Sequence, residues 1–245
     1  MANQAGIDDH NGMENAEKLA AGYKSIDRTA LHNKLFAYLD DAHAHKQELH
    51  ILDIGCGSGD DAYLMAQRGH HVVGIEPSDL RTLAERDHAH DNIQYRDGRL
   101  PALSTVRADE QFDLVMMSAV WQYIDPAERV DSLVKIGEHL KPGGSLYLSY
   151  ASPPSRKYQF EVPPDQLDKD IAAANARLSK GKKLNVVGEP DIIPDPRGRK
   201  DLKGERDLYF YFHTISNGHS QSLGPRNGWG VKPPSMSPVS GVVRH

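Results

Sequence analysis

One cysteine, Cys56, stands in the whole chain, so no internal disulfide can form, which suits the reducing cytoplasm. Long apolar runs are missing too. No stretch approaches the roughly 20 residues of a membrane span. The opening segment MANQAGIDDHNGMENAEK has neither the basic flank nor the apolar stretch of a signal peptide. Basic excess is also absent: 29 Lys and Arg stand against 34 Asp and Glu, a formal net charge of −5. Phosphate backbones demand concentrated Lys and Arg, which disfavours a nucleic-acid surface unless a local patch supplies it. These absences leave a cytoplasmic, membrane-free protein of 245 residues, enough for one full-sized domain with its core. No surplus apolar stripe asks for a partner subunit, so a monomer is the default.

Residues 1–13 are polar and small and are expected to be mobile. Helices are expected at about 14–22 and 27–44, the second capped by Asp27 and carrying Leu31, Leu35, Phe36 and Leu39 on one face. From residue 50 the rhythm changes. HILDI (50–54), HVVGI (71–75), NIQYR (92–96), FDLVMM (112–117) and SLYLSY (145–150) read as strands. FDLVMM is continuously apolar, as in a strand buried on both faces. Helices are expected between them at 60–68, 78–88 and 126–140, the last opened by Asp125-Pro126-Ala127-Glu128 and closed by Lys141-Pro142-Gly143-Gly144. Strictly alternating strands and helices predict an α/β fold with a mostly parallel sheet covered on both faces. Beyond it, a helix is expected at 165–178, a strand at 184–187, a charged loop at 188–206 and a β-prone last strand at 207–213. The domain is therefore expected to span 14–213, with 214–245 a disordered tail rich in Gly, Pro, Ser and Asn.

The chemistry-bearing segment is Leu52-Asp-Ile-Gly-Cys-Gly-Ser-Gly-Asp-Asp61. A strand running into a glycine loop and then a helix is a nucleotide-binding geometry. The dinucleotide spacing is not met: counted from Gly55, its third glycine position holds Asp60. Asp60 and Asp61 suit the positive end of a helix. They would repel a pyrophosphate. S-adenosylmethionine (SAM) has no phosphate, and its sulfonium and ammonium are cations that acidic surroundings favour.

Asp53-x-Gly55-x-Gly57-x-Gly59 resembles motif I of the class I SAM-dependent methyltransferases. Glu76 and Pro77, after the second strand, resemble that family's ribose-binding position, where a carboxylate accepts from a cis-diol. Asp97-Gly98, after the third strand, resembles its adenine loop. FDLVMMSAVWQYI and LKPGGSLYLSY resemble its fourth and fifth strands. The resemblance implies a Rossmann-like methyltransferase fold, a seven-stranded mostly parallel sheet with an antiparallel last strand. It also implies a SAM cofactor held by Asp53, Gly55, Cys56, Gly57, Gly59, Glu76, Pro77, Asp97, Gly98 and Ser118. The third-strand loop is shorter than the family's usual form. The Asn/Asp-Pro-Pro-Tyr/Phe motif of base and glutamine methylation is missing after the fourth strand, where Ser118-Ala119-Val120-Trp121 stands. A small-molecule acceptor is therefore expected.

Trp121 and Tyr123 follow the fourth strand and could face an acceptor or pack in the core. Tyr150, Ser152 and Arg156 follow the fifth. Tyr23 could close over the cofactor. No catalytic base stands out, His32, Tyr23 and Tyr123 being candidates by location alone. His43-x-His45 and His88-x-His90 have metal-like spacing but lie on polar segments without cysteines, so no metal is expected. Three rival readings stay open. One is an NAD-dependent oxidoreductase, for which Glu76 would serve equally. The second is a non-catalytic SAM-binding module. The third is an RNA- or protein-directed methyltransferase, favoured by the Lys and Arg gathered between 156 and 200.

Overall fold

The computed structural model describes residues 4–218. Five parallel strands come in the expected places: β1 (His50–Ile54), β2 (His71–Ile75), β3 (Ile93–Arg96), β4 (Phe112–Met117) and β5 (Leu140–Ser152). Three shorter or reversed strands follow: β6 (Leu184–Val186), β7 (Asp191–Pro194) and β8 (Tyr209–Asn217). The sheet order is β3-β2-β1-β4-β5-β8-β6, with β7 also paired to β8. β8 is antiparallel to β5, as expected of the last strand.

The sheet has eight strands rather than seven. Asp191–Pro194 falls inside the segment expected to be a charged loop, yet it pairs with Tyr209 to Phe212. β6 and β7 are two pieces of one sheet edge. Leu184 pairs with Asn217 but Asp191 pairs with Phe212, so the register slips between them. Gly188, at φ +72, and Pro190 interrupt the ladder there. Lys141-Pro142-Gly143-Gly144, expected as a turn, lies within β5 as an irregularity facing Phe112–Leu114 of β4.

The helices are α1 (Gln4–His10), α2 (Met13–Lys24), α3 (Arg28–Leu31), α4 (Asn33–Ala44), α5 (Asp60–Gln67), α6 (Leu80–Asp87), α7 (Arg129–His139) and α8 (Gln166–Arg177). α1 forms where a mobile segment was expected. The single helix expected over 27–44 is broken at His32. Asp27 caps its first piece, accepting from the Ala30 amide at 2.9 Å. β8 continues to Asn217, so residues 214–217 belong to the sheet and not to a tail. The rest of the expected tail, 219–245, lies outside the described residues.

Two apolar layers sandwich the sheet. On one face Leu133 and Ile136 of α7 and Leu167, Ile171 and Ala174 of α8 meet Leu52, Val115, Leu146 and Leu148. On the other, Leu35, Phe36 and Leu39 of α4 and Ala62 and Met65 of α5 meet Ile51, Leu114, Met116 and Tyr147. The period-two alternation of each strand sends neighbours to opposite layers. A third, smaller cluster joins α2 to α6 through Ala16, Ala20, Leu80 and Leu83. That cluster matters for function, because it carries the N-terminal helices over the ends of β1 and β2.

Gly144 shows how tightly the β5 irregularity is built. A methyl group there would stand 3.0 Å from the carbonyl oxygens of Phe112, Asp113 and Lys141. Backbone cannot step aside as a side chain can. Gly144→Ala is expected to destabilise the fold by about 1–3 kcal/mol, read by urea denaturation.

Candidate active site

In a parallel sheet, ligands bind beyond the carboxyl ends of the strands, where the strand order reverses. Here that place lies between β1 and β4, and a cavity opens there. β1 delivers Asp53 and the glycine loop, β2 delivers Glu76 and Pro77, and β4 delivers Ser118. The loop is tied down by Ile75, whose carbonyl accepts from the Gly55 and Cys56 amides at 2.7 and 3.1 Å. Gly55 has φ +73, and a Cβ on it would lie 2.5 Å from Val120 Cγ2. No other residue type fits that turn. Gly59 caps α5 at φ +83, and a Cβ there would meet the Tyr95 hydroxyl at 2.6 Å and Ala84 Cβ at 2.9 Å. It serves the packing of loop on sheet and does not line the cavity.

Glu76 is 7% exposed and held rigidly. Its Oε2 accepts from the Gly57 amide at 3.1 Å, and its Oε1 from the Ser78 amide at 3.0 Å and hydroxyl at 2.6 Å. Ser78, at the start of the helix expected over 78–88, chiefly orients this carboxylate. Burial pushes the Glu76 carboxyl up, and these hydrogen bonds oppose it without cancelling it.

Asp53 is buried, and its Oδ2 has no hydrogen-bond partner among the described residues. Burial pushes its carboxyl well above the usual range. Asp61 and Glu76 add to that shift, and Arg28 opposes it. Asp61 behaves oppositely. Burial works to raise it, but Arg28 at 3.1 Å and His32 at 3.6 Å outweigh burial and hold it at about 2. His32, at the break between α3 and α4, is wholly buried. Its Nε2 lies 3.2 Å from Ser118 Oγ and its Nδ1 3.4 Å from the Tyr147 hydroxyl. A polar chain therefore runs from Arg28 through Asp61 and His32 to Ser118 at the cavity wall.

Tyr23 also lines the cavity and lies against the loop, its Cε2 3.7 Å from where a Gly57 Cβ would stand. Burial raises its hydroxyl, followed by the neighbouring Tyr123. α1 contributes Ile7 and His10, and the His10 ring meets Tyr123 edge-on at 5.8 Å. The loop after β7 contributes Arg197 and Arg199.

Of the expected cofactor residues, Asp53, Gly55, Cys56, Gly57, Glu76, Pro77 and Ser118 come together around this cavity. Gly98 lines a smaller adjoining cavity with Pro77, Leu100, Val120 and Ile124, a mostly apolar slot with Arg99 at its wall. Asp97 joins neither cavity. It is exposed, and its carbonyl accepts from the Thr105 hydroxyl. The preceding Arg96 is anchored to Glu110 by two contacts of 2.9 Å, and the short loop turns at Thr105 with Asp97 outside. Cys56 lines the cavity, but burial pushes its thiol well up, away from nucleophilic use.

Trp121 is fully buried with Arg129 over its ring at 5.8 Å, and Tyr150 stacks on Tyr211 at 5.2 Å. Both belong to the core. Tyr123 and Arg156 line the cavity. His88, one of the metal-spaced pair, donates from Nδ1 to the Ser58 carbonyl, 2.8 Å away, and steadies the loop from behind. Among the described residues no three metal-ligating side chains gather. Arg28, Gln122 and Gln159 were not singled out by sequence, and Arg197 and Arg199 only within the basic stretch 156–200; Arg28 comes in on α3, Gln122 on the turn after β4, Gln159 on the loop after β5, and Arg197 and Arg199 on the loop between β7 and β8. The concentration of Arg and Lys before the last strand was the one available signal.

Asp61 gives a pH test. Its lowered pKa stabilises the fold above the unfolded carboxyl value of about 4, and that stability is lost as pH falls toward 2. Asp61→Asn is expected to lower the melting temperature at neutral pH, with the gap to the unmodified chain closing on acidification. A constant gap in melting temperature between neutral and acid pH would contradict the ion pair.

Comparison with known proteins agrees with this geometry. Residues 51–144 match the family profile described as "Methyltransferase domain". The Acinetobacter baumannii protein named ubiquinone biosynthesis O-methyltransferase is 34% identical over 118 residues, 46% of this chain and 48% of that one. The chain thus spans about half the length of the curated relatives it matches. Among solved structures, magnesium protoporphyrin IX methyltransferase from Synechocystis, with bound SAM, superposes with a TM-score of 0.60 at 13% identity, covering 89% of this chain and 98% of that one. A TehB-like SAM-dependent methyltransferase from Corynebacterium glutamicum gives 0.56 at 18%, covering 84% and 100%. Residues 51–144 thus match a methyltransferase-domain profile, and the chain shares the fold of these methyltransferases of known structure.

Proposed function

We propose that the protein is a SAM-dependent methyltransferase acting on a small molecule. The unpartnered carboxylate oxygen of Asp53 carries this reading. A buried acid with a vacant acceptor costs free energy unless a donor meets it. The ammonium of SAM is such a donor. A pyrophosphate in the same cavity would face Asp53, Asp61 and Glu76 at once.

The residues fit the cofactor part by part. Asp53 would accept from the ammonium, Glu76 from the ribose hydroxyls, and the slot of Pro77, Gly98, Leu100 and Val120 would take the flat base. When bound, SAM supplies a methyl group already activated by its sulfonium. The chain's own task is to place the acceptor and exclude water, and orientation of that kind is worth about 7–11 kcal/mol. α1, Tyr23 and Tyr123 line the cavity and narrow it, which suits a small acceptor better than a folded RNA or protein. The ubiquinone-biosynthesis relatives are named O-methyltransferases, which supports an oxygen acceptor. For a hydroxyl, Ser118 Oγ with His32 Nε2 behind it at 3.2 Å offers a place to hold the released proton. The single cysteine supports the cytoplasm as the site of action.

Calorimetric titration tests the reading. SAM and S-adenosylhomocysteine are expected to bind, and NAD to give no heat. Asp53→Asn removes a charged acceptor and is expected to cost about 1.5–3 kcal/mol, roughly a ten- to hundredfold loss for SAM. SAM binding favours ionised Asp53, so affinity should rise with pH through its elevated pKa, with proton release into the buffer. NAD binding without SAM binding would sink the proposal.

A further inference from the structure

The cavity is electrically divided, and the sheet order divides it. The acids Asp53 and Glu76 come from β1 and β2. Arg156 follows β5, and Arg197 and Arg199 precede β8. β4 stands between the two halves. The cofactor contacts argued above use groups of the β1–β2 half.

The cations are not equivalent. Arg28 is answered by Asp61. Arg199 is answered by buried Asp195, which accepts from its Nε at 2.8 Å, its Nη2 at 3.1 Å and its backbone amide at 2.8 Å. That clamp builds the loop and fixes the position of Arg197, two residues earlier. Arg197 makes no ion pair among the described residues. Its Nε is buried without a hydrogen-bond partner, and its guanidinium lies 6.0 Å from the Tyr23 ring centre. Burial and then Arg199 push the Arg197 guanidinium below its usual range, and Arg156 adds to this against Asp195 and Tyr23. A partly buried guanidinium beside like charges is costly until an anion answers it. Tyr23, Tyr123 and Phe210 line the same cavity and offer flat surfaces to an unsaturated ring.

We propose that the methyl acceptor is an aromatic carboxylate, its carboxylate taken by Arg197 together with Arg156. A guanidinium offers paired donors that match a carboxylate's two oxygens. Calling this ligand the acceptor rests on the methyltransferase reading. The basic subsite does not.

The full chain is titrated calorimetrically with 4-hydroxybenzoate and its neutral isostere 4-hydroxybenzamide, with and without S-adenosylhomocysteine. The acid is expected to bind at least about tenfold more tightly than the amide. Arg197→Gln should abolish that preference and leave S-adenosylhomocysteine binding unchanged, whereas Arg197→Lys should keep part of it. Arg156→Gln, on a different loop, should weaken the acid independently, and thermal melts check that each variant folds. Equal affinities for acid and amide, or no binding of the acid, overturn the proposal. So does a preference that survives both glutamine variants. If Arg197→Gln weakens S-adenosylhomocysteine as much as the acid, the anion is the cofactor's own carboxylate and the proposal fails. Acid preference without S-adenosylhomocysteine binding would leave the basic subsite standing and remove the methyltransferase reading instead.

Discussion

Three carboxylates, Asp53, Asp61 and Glu76, are buried around one glycine loop, and the rest of the site exists to contain their repulsion. Each is handled differently. Arg28 neutralises Asp61, and His32 lies 3.6 Å from the same oxygen. Three hydrogen bonds from Gly57 and Ser78 satisfy Glu76. Asp53 keeps an oxygen unanswered. Glu76 is thereby made rigid; Asp61 Oδ1, like Asp53 Oδ2, has no hydrogen-bond partner among the described residues, but Asp61 has the Arg28 cation on its other oxygen, whereas Asp53 is left as a demand for a cation. A site so arranged selects its ligand by charge before shape plays any part.

The same constraint explains the N-terminal helices. α2 packs on α6 through a small apolar cluster, and that contact sets Tyr23 against the loop and Arg28 against Asp61. The polar chain then continues inward through His32 to Ser118. A segment that contributes nothing to the sheet thus supplies the counter-charge and one wall of the cavity. The loop before β8 supplies another wall, locked by Asp195–Arg199 and by Asp201, which accepts from Arg206 Nε at 2.9 Å. The floor belongs to the fold shared with the methyltransferases of similar structure.

Read together, the cavity has a floor that favours cations and a side that favours anions. Such a division orients two ligands relative to each other without contact between them, because each is repelled from the other's place. For a displacement that needs donor and acceptor in line, orientation is the main service a protein can give.

Periodicity alone determined the five parallel strands and their helices, since alternation and 3.6-residue spacing are local properties of the chain. It also determined the glycine loop, Glu76 and the absence of a dinucleotide spacing, all readable within a few residues. The eighth strand was hidden because prolines and charges flank Asp191–Pro194, and pairing with β8 overrides that local signal. α1 was hidden because a short polar helix has little propensity of its own and is held by what it packs against. Asp97 was expected in the site because sequence marks the loop but not the direction in which it turns. The pairing of Arg28 with Asp61, the contact of His32 with Ser118 and the place of Arg197 beside Tyr23 became visible only in three dimensions. Residues 28 and 61, or 23 and 197, meet because the sheet and its covering helices bring distant segments together, and no local pattern records which charge will face which.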